Sequence, residues 1–287
     1  VIEFELKNKF KLKNTFLKPL MQIYKTLNKE YQAGAKHKST AGTTELPDWY
    51  TVGQQGIKFL PGVLAEYMAN NEKVFYAAEQ FYLYRSGVYC AISEMEAQRL
   101  TQEKMIPRET KMSQITDATQ QWKLQIQSDI KDLNANPYII NVKNGLYNVL
   151  EDTLTEHNPD YYSTVQLNVA YNETAECPMF MKFLEESMGG DMGQISLIQE
   201  MLGYFLIPVN SAQKCFVIVG VGGAGKSVLL RVLNDILLGK QNVSNVSWQA
   251  LNERFKTAEL FGKLANIFAD LPTKYIDDNG IFKALVG

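Results

Sequence analysis

Eight consecutive residues, Gly220-Val221-Gly222-Gly223-Ala224-Gly225-Lys226-Ser227, fit the pattern G-x-x-x-x-G-K-[ST] at every fixed position. The glycines let the backbone wrap so that successive N–H groups turn inward toward phosphate oxygens. A helix starting near Lys226 would aim the positive end of its dipole at the same anion. In such a loop the lysine reaches the β- and γ-phosphates and the hydroxyl sits on Mg²⁺, which gives Lys226 and Ser227 those roles. Val228 completes the predicted nucleotide-binding stretch, and the expected ligands are ATP and Mg²⁺. The second half of such a site is an acidic residue at the end of a buried strand, holding the cation directly or through water. Asp270, about forty residues beyond the loop, closes the apolar run Leu264-Ala265-Asn266-Ile267-Phe268-Ala269 and is the candidate. Lys226 and Asp270 are therefore the predicted catalytic pair, and Ser227 and Asp270 the predicted metal ligands. Many motor ATPases follow this aspartate with a glutamate, whereas Leu271 follows here, so no catalytic base is assigned. Asp277 and Asp278, beside Asn279-Gly280, read as turn residues.

A loop of this kind works only between a buried strand and a helix. Cys215-Phe216-Val217-Ile218-Val219 is an apolar run suited to a buried parallel strand, and Lys226 to Leu238 reads as the following helix, closed by Gly239. Val243 to Ser247 and Leu264 to Ala269 are the further strand candidates, so residues 209–287 predict an α/β core with helices on both faces.

The rest of the chain predicts a different architecture. Residues 1–47 form a basic segment and linker, with a short helix from Phe16 to Tyr31. In residues 1–40 nine lysines face three glutamates, +6 in all, while the remainder carries −8. Such an arm is compatible with DNA, although a solvated linker or helix face has the same composition. Residues 48–172 predict an α+β accessory domain. Phe59 to Ala69 is helical after Pro61, and Gln80 to Ile92 is a hairpin turning at Arg85-Ser86-Gly87. Glu94 to Lys104 and Thr116 to Asn134 are amphipathic helices. Ile139 to Tyr147 is a second hairpin, with Asn144-Gly145 supplying positive φ for its turn. Residues 173–208 predict a helical connector with helices at Pro178–Met188 and Gln194–Phe205. The alternating aromatics at 81–89 are core by their strand spacing, or a stacking surface for bases.

Composition narrows the classes further. A hydrophobic share of 46% and a charged share of 21% are ordinary for a globular protein, and a net charge of −2 gives no general attraction to nucleic acid. Cys90, Cys177 and Cys215 are widely separated, and His37 and His157 are the two histidines. Neither a zinc knuckle nor a disulfide framework has that spacing, which suits a reducing, cytoplasmic setting. Both histidines read as surface residues. No apolar run is long enough to cross a bilayer, so no membrane partner is expected.

Beyond these single features, a set of stretches in fixed order resembles the phage, plasmid and poxvirus-type primase-helicases, whose superfamily 3 (AAA+) core follows an accessory domain. They are Phe81-Tyr82-Leu83-Tyr84-Arg85-Ser86-Gly87-Val88-Tyr89; Ile140-Asn141-Val142-Lys143-Asn144-Gly145-Leu146; Asn168-Val169-Ala170-Tyr171-Asn172; Cys177-Pro178-Met179-Phe180; and Gln199-Glu200-Met201-Leu202-Gly203-Tyr204. The phosphate loop, Arg254-Phe255, Leu260 to Ile267 and Phe282-Lys283-Ala284-Leu285-Val286-Gly287 continue the order, so the likeness spans roughly 55–287. It implies a P-loop NTPase core coupling ATP hydrolysis to DNA unwinding in replication. It also implies a homo-oligomeric ring, a hexamer with ATP between subunits, acting on single-stranded or forked DNA with a primase domain or partner. For a phage or mobile element the setting would be the bacterial host cytoplasm. Lys283, beside the segment that carries the family's channel hairpin, becomes a candidate DNA-phosphate contact. The chain stops at Gly287, before the family's sensor asparagine and arginine finger, which implies a fragment of a longer polypeptide. Two other readings compete. A small-molecule kinase would carry lid arginines, and only Arg231 and Arg254 lie beyond the loop. A replication-initiation or assembly module would use nucleotide as a structural ligand, as the missing glutamate after Asp270 suggests.

Overall fold

The computed structural model describes residues 46–54, 56–107, 110–268 and 280–287. The basic segment with its expected helix from Phe16 to Tyr31, His37, and Asp270, Asp277 and Asp278 lie outside the described residues. Two compact units divide between Leu60 and Pro61. In the first, strands β1 (Tyr50–Gly53) and β2 (Gly56–Phe59) form an antiparallel hairpin that pairs Tyr50 with Phe59.

The second unit begins with α1 (Pro61–Asn71), where Pro61 supplies a preset φ and one fewer amide to satisfy. Its residues Leu64, Ala65 and Met68 have no exposed surface and recur at helical spacing. They face a helical layer made of α2 (Glu94–Glu103) and α3 (Met112–Gln125), with Trp122 of α3 fully buried. Ser93 caps α2 by accepting the Glu96 N–H at 3.2 Å. Thr119 donates to Thr101 Oγ1 at 2.9 Å, joining the two helices through a buried hydroxyl pair.

Beside these helices stands the antiparallel sheet β3 (Val74–Ala77), β4 (Gln80–Arg85) and β5 (Val88–Ile92). The predicted turn is present, with Ser86 at φ +50° and Gly87 at φ +88°, the geometry a two-residue hairpin loop requires. The aromatic alternation is core. Phe75, Tyr82 and Tyr89 are buried together, and the Phe75 ring stacks on Tyr82 at 4.8 Å and meets Tyr162 edge-on at 5.0 Å. The helix expected from Thr116 to Asn134 instead starts at Met112 and ends at Gln125. Tertiary pairing ends it: the Tyr76 N–H donates to Ile126 O and the Ser128 N–H donates to Tyr76 O, so this backbone joins the edge of β3.

A second small sheet comprises β6 (Ile139–Val142), β7 (Gly145–Asn148) and β8 (Thr153–Thr155). Val142 pairs with Gly145, so Lys143 and Asn144 form the turn centre, and Asn144 does not take positive φ. That corrects the expected role of Asn144-Gly145. Gly145, at φ +157°, is required because a side chain there would collide with the Thr155 carbonyl.

Two helices follow as expected, α4 (Pro178–Ser187) and α5 (Met192–Tyr204). Asp191 caps α5, accepting the Gly193 and Gln194 N–H groups at 2.9 and 3.1 Å. These hydrogen bonds hold its carboxyl below the usual carboxylate range. The last helix before the C-terminal region is α6 (Lys226–Arg231), which continues to Leu238 in wider π turns. Gly239 follows it at φ +82°.

The predicted parallel core is where sequence and structure part. Only β9 (Val243–Ser244) and β10 (Ala265–Asn266) pair in parallel, over two residues each. Cys215–Val219 is not a strand: no backbone hydrogen bond joins it to another described segment, and Val217 and Val219 are exposed. An apolar run becomes a strand only when a neighbouring backbone takes up its N–H and C=O groups, and β9 and β10 pair only with each other. The fold shown is thus a mixed α/β arrangement with small sheets. Helix α7 (Gly280–Val286) completes the described chain. No helix among the described residues is long and apolar enough to cross a membrane.

Candidate phosphate-binding site

The loop 220–227 joins the unpaired run 215–219 to α6. Gly223 and Gly225 take φ of +81° and +84°, values that disfavour any side chain, so two of the motif's glycines are needed for backbone shape alone. Ala224 N–H closes a turn on Val221 O at 3.3 Å, and Leu229 N–H begins the helical ladder on Gly225 O at 3.0 Å. Among the described residues no acceptor takes the N–H groups of Gly222, Gly223, Gly225, Lys226 or Ser227. Five donors without protein partners within six residues, over a loop whose side chains are mostly hydrogens, are what an oxyanion of high charge needs.

Lys226 curls over the loop's start and donates from Nζ to Gly220 O at 2.7 Å and Val221 O at 2.8 Å. Its ammonium is thereby held on the carbonyls that open the loop. Ser227 and Val228 are exposed on the first turn of α6, and the Ser227 hydroxyl has no hydrogen-bond partner among the described residues. The stretch Gly220–Val228 is therefore contiguous in space as well as in sequence. Lys283 lies apart, exposed on α7, whose Phe282 stacks on Trp248 at 3.9 Å. Leu285 of the same helix is 41% exposed.

An apolar hollow of about 410 Å³ opens between Phe205, Phe216, Ile218, Leu233, Trp248 and Phe282. Among the described residues no group of three or more His, Cys, Asp and Glu side chains is placed to hold a metal ion.

The motif stretches of the accessory region do something different. Asn141, 4% exposed, donates to Gly87 O at 2.8 Å and to Ser163 Oγ at 2.9 Å, while its own O accepts the Leu167 N–H. Asn144 accepts the Tyr171 N–H and donates to Tyr171 O, both at 2.9 Å. His157 is not a free surface residue. Its Nε2 lies 2.8 Å from Val142 O, and its ring packs where a side chain at Gly87 would be. Some basic side chains of this region are paired, as in Arg85–Glu96 at 2.7 Å and Lys104–Glu72 at 2.6 Å, and the hydrogen bond to Glu72 raises the Lys104 pKa. Sequence reading missed Asn141 as the hub of this region. Its signal was a single asparagine in an otherwise apolar strand.

Comparison with known families agrees with the accessory region. Residues 22–189, more than half of the chain, match the family described as D5 N terminal like, and residues 218–287 match a family of unknown function (DUF5906). No curated protein matches the chain. The chain belongs to the D5 N terminal like family, that of the N-terminal domain of phage and plasmid primase-helicases.

Proposed function

We propose that the chain is the ATP-binding part of a phage- or plasmid-type replication helicase, with the loop Gly220–Ser227 as its nucleotide site. The observation that carries this reading is the set of five unpartnered amides on a glycine loop, with the Lys226 ammonium held alongside. Membership of the D5-like family supplies the replication context. In this reading the loop amides and Lys226 hold the β- and γ-phosphates, Val228 follows in the first turn, and Ser227 and Asp270 hold Mg²⁺. The bound cation neutralises phosphate charge during transfer. The P-loop NTPase core, hexameric ring, DNA partner, primase partner and cytoplasmic setting belong to the same proposal.

The test is titration with a fluorescent ATP analogue in the presence of Mg²⁺. Wild-type protein is expected to bind, and Lys226→Ala to bind at least about tenfold more weakly while keeping its circular dichroism. Equal affinity in a folded variant would sink the assignment. Asp270→Asn is expected to impair Mg²⁺-dependent hydrolysis far more than binding.

A second reading, a nucleotide-binding initiation or assembly module without helicase activity, draws on Leu271 standing where a glutamate would activate water. DNA-stimulated ATP hydrolysis separates the two: it is expected of the helicase and not of the assembly module.

A further inference from the structure

Gly225 is the joint between the loop and α6: its N–H is unpartnered and its carbonyl starts the helical ladder. It holds φ +84° and ψ 0°, and nothing in its own side chain fixes that conformation. Two residues of α4 do touch it. A Cβ at Gly225 would lie 2.8 and 2.9 Å from Phe183 Cε2 and Cζ, and 2.9 Å from Ser187 Oγ. Phe183 is itself packed on the core that contains Met201, Leu229 and Leu233, and Leu184 beside it is fully buried. The wall behind Gly225 is therefore anchored, while the loop in front of it is exposed. Ser187 has no hydrogen-bond partner among the described residues.

A glycine loop loses more backbone entropy on ordering than any other sequence. A contact that already holds one glycine lowers what a ligand must supply on binding. We propose that α4, within the stretch matched to the D5 N terminal like family, is the positioning wall of the phosphate loop. Phe183 and Ser187 hold Gly225 in its left-handed conformation, which couples loop occupancy to the family domain. The inference rests on the nucleotide reading above. Phe183 and Ser187 are positioning residues, not phosphate ligands. Coupling of this kind is reciprocal: what α4 gives to ligand affinity, the ligand returns as rigidity of α4.

The experiment measures MgATP-analogue affinity and amide hydrogen exchange of residues 178–188, with and without MgADP. Phe183→Leu is expected to weaken binding about five- to tenfold, and Phe183→Tyr, which keeps the ring, to restore it. MgADP is expected to slow exchange in 178–188 of the wild type and not of Lys226→Ala. Should Phe183→Leu fail to fold, Ser187→Ala carries the test, with an expected loss of about threefold. Wild-type affinity in the α4 variants, together with unchanged exchange, overturns the inference while leaving the nucleotide reading intact. A wild-type protein that binds no nucleotide removes both.

Discussion

The sheet at 139–155 with its partner segment 163–171, and the loop at 220–227, are both rich in small and polar residues, yet they use them in opposite ways. In the first, Asn141 and Asn144 close their hydrogen bonds inside the protein, onto Gly87, Ser163 and Tyr171. In the second, five amides are left without a protein acceptor. A satisfied network specifies one arrangement and asks for nothing further. An unsatisfied one keeps its donors in solvent until an anion arrives. The family stretches around Asn141 and Asn144 are thus architecture, whereas the glycine loop leaves its donors open.

That contrast can be broken by substitution. Asn141→Ala leaves buried acceptors at Gly87 O and Ser163 Oγ, and is expected to cost about 2–4 kcal/mol of folding free energy, read by urea denaturation. Nucleotide affinity measured well below the unfolding transition should not move. A stability loss under about 1 kcal/mol would show that the network is not the hub described. Lys226→Ala is the mirror image, with lost affinity and unchanged denaturation.

A smaller effect concerns alkaline pH. Burial, then the neighbouring Tyr162, Tyr84 and Asp160, pushes the Tyr89 phenol up from 10.0 to about 12. The folded state thus holds this proton more tightly than the unfolded chain. The associated stability is complete below pH 10 and is lost as pH rises from 10 through about 12. Tyr89→Phe is expected to flatten that alkaline limb in a denaturation series between pH 8 and pH 12. An identical limb in wild type and variant would place the ionisation elsewhere.

The smallest expected effect is at Lys283, exposed on α7. If it contacts DNA phosphate, Lys283→Ala should weaken single-stranded DNA binding alike for all sequences and reduce the salt slope by roughly one ion. An unchanged slope would return it to the solvated surface.

Local signals carried the accessory region far. Ser86-Gly87 could be read because a two-residue turn depends only on its own φ values, and Pro61 marks a helix start by its own chemistry. Where neighbours decide, reading failed. Helix α3 ends at Gln125 because β3 recruits the following backbone, which no helical period records. Cys215–Val219 has the composition of a buried strand, but a strand is a relation between two backbones, and no described partner is there. Asn144-Gly145 carried the commonest hairpin signal, yet the glycine answers a carbonyl on β8 and not the turn. The shape of the glycine loop fared better: the motif encodes local backbone geometry, and Gly223 and Gly225 take the positive φ that only glycine adopts freely. The wall provided by Phe183 and Ser187 was not legible, lying some forty residues away in sequence.

The paired hydrogen bonds from Asn144 to Tyr171 have a consequence for how this protein ages. Asn144 precedes Gly145, the neighbour that least shields a side-chain amide from attack by the next backbone nitrogen. That attack expels ammonia, forms a cyclic imide, and on hydrolysis leaves aspartate or isoaspartate. While the amide is engaged on both edges of Tyr171 it is held away from the required approach. Deamidation at this site therefore becomes a clock that runs mainly in unfolded molecules, and its product, lacking the donor, cannot re-form the pair. Ammonia loss at Asn144, followed by mass spectrometry, is expected to be slow in native protein and fast in urea. Equal rates would show that the pairing gives no protection.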